Sequence, residues 1–168
     1  SIALVFIGCI SFLQIAAQNP CSCDKGEILK PKIYEYADNG KIDSAFLVYE
    51  EIKKQQGEAC LLMYYHGISQ LFMQKQDWPN AWIALNAADK ILNKASCIEA
   101  IISKHYSITG LFYTRTNKLD SAAWAFLKAV EAGEKSDNKY ALARSYGDVA
   151  STVSKTGDLQ KAIEYDRK

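Results

Sequence analysis

The chain repeats itself, and that constrains its fold more than anything else in it. Ala45, Ala81, Ala122 and Ala162 stand 36, 41 and 40 residues apart. Nine residues before each comes Tyr36, Phe72, Tyr113 or Val153, and five before each comes Gly40, Gln76, Asn117 or Gly157. Glycine and asparagine readily take the left-handed conformation that ends a helix, so three of those four mark a tight turn. Four residues after the first three alanines come Tyr49, Leu85 and Phe126, and three further on come Ile52, Ala88 and Ala129. The fourth copy departs there, with Asp166 in the aromatic column and Tyr165 beside it. A unit that recurs at this period cannot bury its apolar face alone and stacks on its neighbours.

Each copy reads as helix, tight turn, helix. Tyr106, Thr109, Gly110 and Tyr113 share one helical face, and Ala122, Phe126 and Ala129 share another on the next helix. Small residues such as Ser69, Gly110 and Ala150 let a partner helix approach, and the large ring a turn away fills the space beside them. Ser96 with Glu99 reads as a capping box, and Pro79 sits where a first helical turn tolerates proline. Residues 133–138 form a polar linker. The expected fold is all-α, a superhelix of stacked antiparallel helix pairs. Its units run over 26–57, 58–95, 96–136 and 137–168, after a short segment at 18–25.

These columns resemble the tetratricopeptide repeat, whose first helix carries an aromatic, then Leu-Gly, then Tyr, and whose second carries Ala, Phe and Ala. Residues 106–129 match it best, and 157–165 follow its central turn and second helix. The resemblance spans roughly 26–168. The first copy is weaker, with Leu29, Lys32 and Ile33 in the signature places, as a capping unit would be. Copies near 40 residues exceed the family's usual ~34 and are similar to a longer-helix variety of bacterial exported and regulatory proteins. The resemblance implies a protein or peptide partner held on the concave face lined by the first helices.

Helical phase opposite the packing columns puts Lys30, Tyr34, His66, Gln70, Met73, Lys104, Leu111, Arg115, Arg144 and Ser151 along that groove. Such a mixed, mildly basic face suits an extended peptide with acidic positions. Family members that grip a C-terminal carboxylate use two Lys, two Asn and an Arg. Lys30 and Lys104 match the lysines here, but Tyr34, Gly67 and Ile108 stand at the other places, against that clamp.

The sequence offers no catalytic, cofactor or metal constellation. His66 and His105, 39 residues apart, lack metal-ligand spacing on one helix and read as partly buried or groove-lining. Phosphate-binding glycine loops and nucleophile-elbow motifs are absent. Asp148 and Asp158 read as surface and turn residues, and Trp78, Trp82 and Trp124 as core or inter-repeat anchors. A formal net charge of +1 over 168 residues argues against nucleic-acid binding by this segment.

No charged residue precedes Asp24. Ile2 to Ala17 has the shape of a secretory signal's apolar region, with cleavage expected after Ala17; a retained anchor, or a lipid signal at Cys9, is the alternative. Export would put the chain in the periplasm, the cell envelope or outside the cell. Membrane contact would then come only through a retained anchor or a downstream segment. Beyond the prefix lie Cys21, Cys23, Cys60 and Cys97, open to three disulfide pairings, to free thiols or to metal. Because Lys168 falls inside the second helix of the fourth copy, the protein is expected to continue further. The leading expectation is a noncatalytic interaction module forming the N-terminal sensor of a larger histidine-kinase or transcription-regulator protein. The alternative is a free-standing exported scaffold, and an enzyme is the remote third.

Overall fold

The computed structural model describes residues 23–55, 57–92, 99–136, 139–155, 157, 164–165 and 167. Within them lie seven helices and no strand: α1 (Asp24–Asp38), α2 (Ile42–Lys53), α3 (Glu58–Gln74), α4 (Trp78–Leu92), α5 (Glu99–Arg115), α6 (Leu119–Glu134) and α7 (Lys139–Lys155). The expectations for the apolar prefix, the Ser96 cap, Cys21, Cys97, Asp158 and Ala162 lie outside the described residues.

The turns follow from one backbone device. Gly40, Gln76, Asn117 and Gly157 all have positive φ, at 70°, 58°, 57° and 90°. After the first three of these, the next residue's amide reaches back to the carbonyl of Tyr36, Phe72 or Tyr113 at 2.8, 2.9 and 2.8 Å. That six-residue loop is the Schellman ending of a helix, and it satisfies carbonyls that would otherwise be orphaned. It also reverses the chain within a few residues, which makes each helix pair antiparallel. Asp77 then opens α4 by accepting from the Asn80 amide at 3.2 Å, while Pro79 occupies the first turn, where no amide is required.

Gln76 is the strained member of that column, since a side chain other than glycine or asparagine costs about 1–2 kcal/mol in the left-handed region. Gln76→Gly is therefore expected to stabilise the protein by about 0.5–1 kcal/mol after glycine's extra unfolded-state entropy is deducted. Urea denaturation checks this, and a lower midpoint would refute it.

Consecutive helices pack on each other, and so do α1 with α3, α3 with α5, and α5 with α7. Among the described residues the Cα atoms of the even-numbered helices stay more than 8 Å from one another. The odd helices thus form the closely spaced inner layer and the even ones a splayed outer layer, the arrangement of an α-α superhelix. The core follows suit as a series of clusters between successive helices. One gathers Ile33, Val48, Ile52 and Ala59, and another gathers Ala122, Phe126, Val130, Val149 and Val153.

The alanine columns explain the close approach: Ala45, Ala81, Ala88, Ala122 and Ala129 are fully buried. At Gly110 a Cβ would stand 2.6 Å from the Phe126 ring, so only glycine admits that ring against α5. Gly67 stands in the same relation to the Tyr49 ring of α2. A disulfide from Cys23, just before α1, to Cys60, in the first turn of α3, closes the first end of the array. No described helix is long and apolar enough to cross a membrane.

Candidate functional site

The inner layer carries a depression of about 320 Å³ lined from all four odd helices. Lys30 comes from α1, Gln70 from α3, Lys104, Ser107, Ile108 and Leu111 from α5, and Tyr140 and Arg144 from α7. Five of the ten groove residues expected from helical phase therefore meet in one place: Lys30, Gln70, Lys104, Leu111 and Arg144. Tyr34, Arg115 and Ser151 are exposed on α1, α5 and α7 but do not line the depression.

His66 and Met73 require correction, being only 2% and 3% exposed. Met73 packs against Ala81, Leu85, Ile108 and Phe112. The cause is that α3 is enclosed on nearly every side, so the phase opposite one packing column meets another neighbour instead of solvent. Besides Ala100 and Ser103, phase alone missed the lining residues Ser107, Ile108 and Tyr140. They lie three or four positions from Lys104 and Arg144, the spacing of a shared helical stripe.

Charge in the depression is one-sided. Lys30, Lys104 and Arg144 line it, and no carboxylate does among the described residues. Glu27 is the nearby counter-charge and is held by Lys30 at 3.2 Å. Although solvent reaches Lys104, its concave surroundings lower its pKa from the usual lysine value; Lys30 and Arg144 add to the fall and Glu27 opposes it. A bound anion would relieve that crowding.

Beneath the groove His66 and His105 meet, their Nε2 and Nδ1 atoms 3.1 Å apart. Their spacing of one repeat sets them on neighbouring inner helices. Asp89 Oδ1 faces His105 Nε2 at 3.7 Å. One neutral imidazole donates to the other across that contact, the direction following the tautomer each ring takes. Burial holds His66 well below the ordinary histidine range, and His105 and Lys104 press it further down. Burial lowers His105 too, against the pull of Asp89. No group of three or more metal-ligating side chains occurs among the described residues.

These depressed values set a pH dependence. The unfolded chain takes up protons near pH 6.5 that the folded pair refuses, so stability is full above that pH and falls below it. The loss is expected to be roughly 1 kcal/mol per pH unit for each proton, beginning at about pH 6.5. Denaturant midpoints between pH 7.5 and 5.5 measure it, and His66→Gln should flatten the slope; equal slopes in both proteins would refute the assignment. Asp148 works in the opposite sense. Burial raises its pKa and its enclosed Oδ2 has no hydrogen-bond partner among the described residues, a correction to the surface reading.

The tryptophans divide. Trp78 packs partly buried against Phe112, but Trp82 is 38% and Trp124 52% exposed, so the last is no core anchor. Its phase explains this: Trp124 lies two residues past Ala122, as Leu47 and Ile83 lie past Ala45 and Ala81, and those are 70% and 64% exposed. Comparison with known proteins returns neither a matching family model nor a matching curated protein.

Proposed function

We propose that the array is a noncatalytic protein-interaction module that holds an extended, acidic peptide along its inner layer. The observation that carries this reading is the convergence of Lys30, Lys104 and Arg144, from three helices, on one concave depression with no lining carboxylate among the described residues. Peptide carboxylates would replace the weak local counter-charge, and charge-assisted hydrogen bonds to Arg144 add geometric selectivity. Gln70 offers a donor and an acceptor to a peptide backbone, and Leu111 with Tyr140 an apolar seat. The resemblance of the repeat columns to tetratricopeptide repeats supports the same mode of use.

A peptide array scored with the wild type and with Lys104→Glu and Arg144→Glu tests the groove. Acidic sequences should dominate the wild-type signal and fade in both variants. Signals indifferent to both substitutions would reject this surface.

In this reading the array works outside the cytoplasm, as the sensing part of an exported signalling protein. The Cys23–Cys60 disulfide supports that setting, because such bonds persist in oxidising compartments. Coding sequence downstream of Lys168 tests the sensor role. A membrane span followed by kinase or helix-turn-helix motifs agrees with it, and a stop codon after one further helix favours a free-standing scaffold.

A further inference from the structure

The outer layer holds a second cleft of about 360 Å³, walled by α4 on one side and α6 on the other, with α5 as its floor. The backbones of those walls stand more than 8 Å apart among the described residues, which leaves the space open. Trp82 and Asp89 come from α4, Tyr106 and Tyr113 from α5, and Trp124 from α6. The rings are held in place by one another. Trp82 stacks on Phe112 at 5.3 Å and meets Tyr113 at 5.8 Å, while Trp124 meets Tyr106 edge-on at 5.8 Å.

We propose that this cleft is a binding site for an alkylammonium cation of the quaternary type, held by the rings of Trp82, Tyr106, Tyr113 and Trp124 with the Asp89 carboxylate as its counter-charge. Four electron-rich rings attract a cation through their quadrupoles, tryptophan most strongly. No lysine or arginine lines the cleft among the described residues. His105, on the floor, is held neutral by burial and adds no opposing charge at neutral pH. A quaternary ammonium is large and weakly hydrated, so it loses less on leaving water than a primary ammonium does. The volume falls in the range of small-ligand sites, roughly 300–1,000 Å³. This site is separate from the basic groove, whose charge has the opposite sign, and the two can fail independently.

Tryptophan fluorescence of the intact chain, titrated with choline, tests the proposal. Choline should give a saturable change, and its neutral isostere 3,3-dimethyl-1-butanol should bind about tenfold more weakly, the share expected of a desolvated cation–π contact. Asp89→Asn and Trp124→Ala should each weaken choline about tenfold, with Trp124→Phe intermediate because a ring remains. Trp124 is half exposed, so these variants are expected to fold, and far-ultraviolet circular dichroism verifies it. A trimethyllysine peptide added as a second arm identifies the carrier: tighter binding than choline, lost in Trp124→Ala, supports the site with the cation borne on a chain. Equal binding of choline and the isostere, or no saturable response to choline or the peptide, overturns the proposal.

Discussion

Phe126→Ala is expected to destabilise the protein by about 3–5 kcal/mol, a large share of the ~5–15 kcal/mol that holds a domain of this size together. Phe126 is fully buried among Ala122, Val130, Val149 and Val153, where α6 meets α7, and its ring lies against Gly110 of α5. Truncation removes contacts with two neighbouring helices, α5 and α7, at once and leaves a cavity that stiff β-branched neighbours cannot fill. Gly110→Ala approaches the same contact from the other side. The added methyl should cost about 1–3 kcal/mol through overpacking, against about 1 kcal/mol gained in helix propensity. In the double variant the methyl enters the space the ring vacated, so the combined loss should be clearly smaller than the sum of the single losses. Chemical denaturation of the four proteins measures the coupling, and strict additivity would show that the ring and the glycine do not meet.

Loss of the Cys23–Cys60 disulfide is the second large effect. The bond joins residues 37 apart, and closing a loop of that size in the unfolded chain corresponds to about 4 kcal/mol in the chain-entropy description. Cys60→Ser, or reduction of the wild type, should lower stability by about that amount. The loss should also be local. Because each pair contacts only its neighbours, amide exchange is expected to rise in α1 and α2 while α5 to α7 keep their protection. An unchanged denaturation midpoint after reduction would remove the bond from the account.

How far the sequence could be read depended on whether a feature recurs. The alanine columns, the Gly110–Phe126 pair and the positions of the turns were legible because each is repeated at the period of the fold. Gln76 shows how strong that constraint is: its residue type argues against positive φ, yet its column requires it, and the column prevails. The groove was only half legible. Lys104 and Arg144 recur 18 residues before Ala122 and Ala162, with Lys30 about a turn along at 15 before Ala45, whereas His66, in the column of Lys30, and Met73 sit on α3, whose neighbours enclose it almost entirely. Helical phase gives an angle about one axis and cannot tell which neighbour lies there.

The outer cleft was missed for a different reason. A tryptophan on a second helix suggests burial by its size, but the step of two from Ala122 turns Trp124 outward, as it does Leu47 and Ile83. That signal was present in the columns. The nearness of Trp124 to Trp82 and Asp89 was not, since it depends on α4 and α6 standing apart over α5.

The central claim is that the inner layer takes acidic peptides through Lys30, Lys104 and Arg144. Isothermal titration of the strongest acidic peptide from the array tests it most directly, run against the wild type, Arg144→Glu, Lys104→Glu and Trp124→Ala. The predicted result is at least about a tenfold loss of affinity in each groove variant, as for a truncated charge-assisted pair, with no change in Trp124→Ala. Equal affinity across all four proteins, or a loss confined to Trp124→Ala, would contradict it.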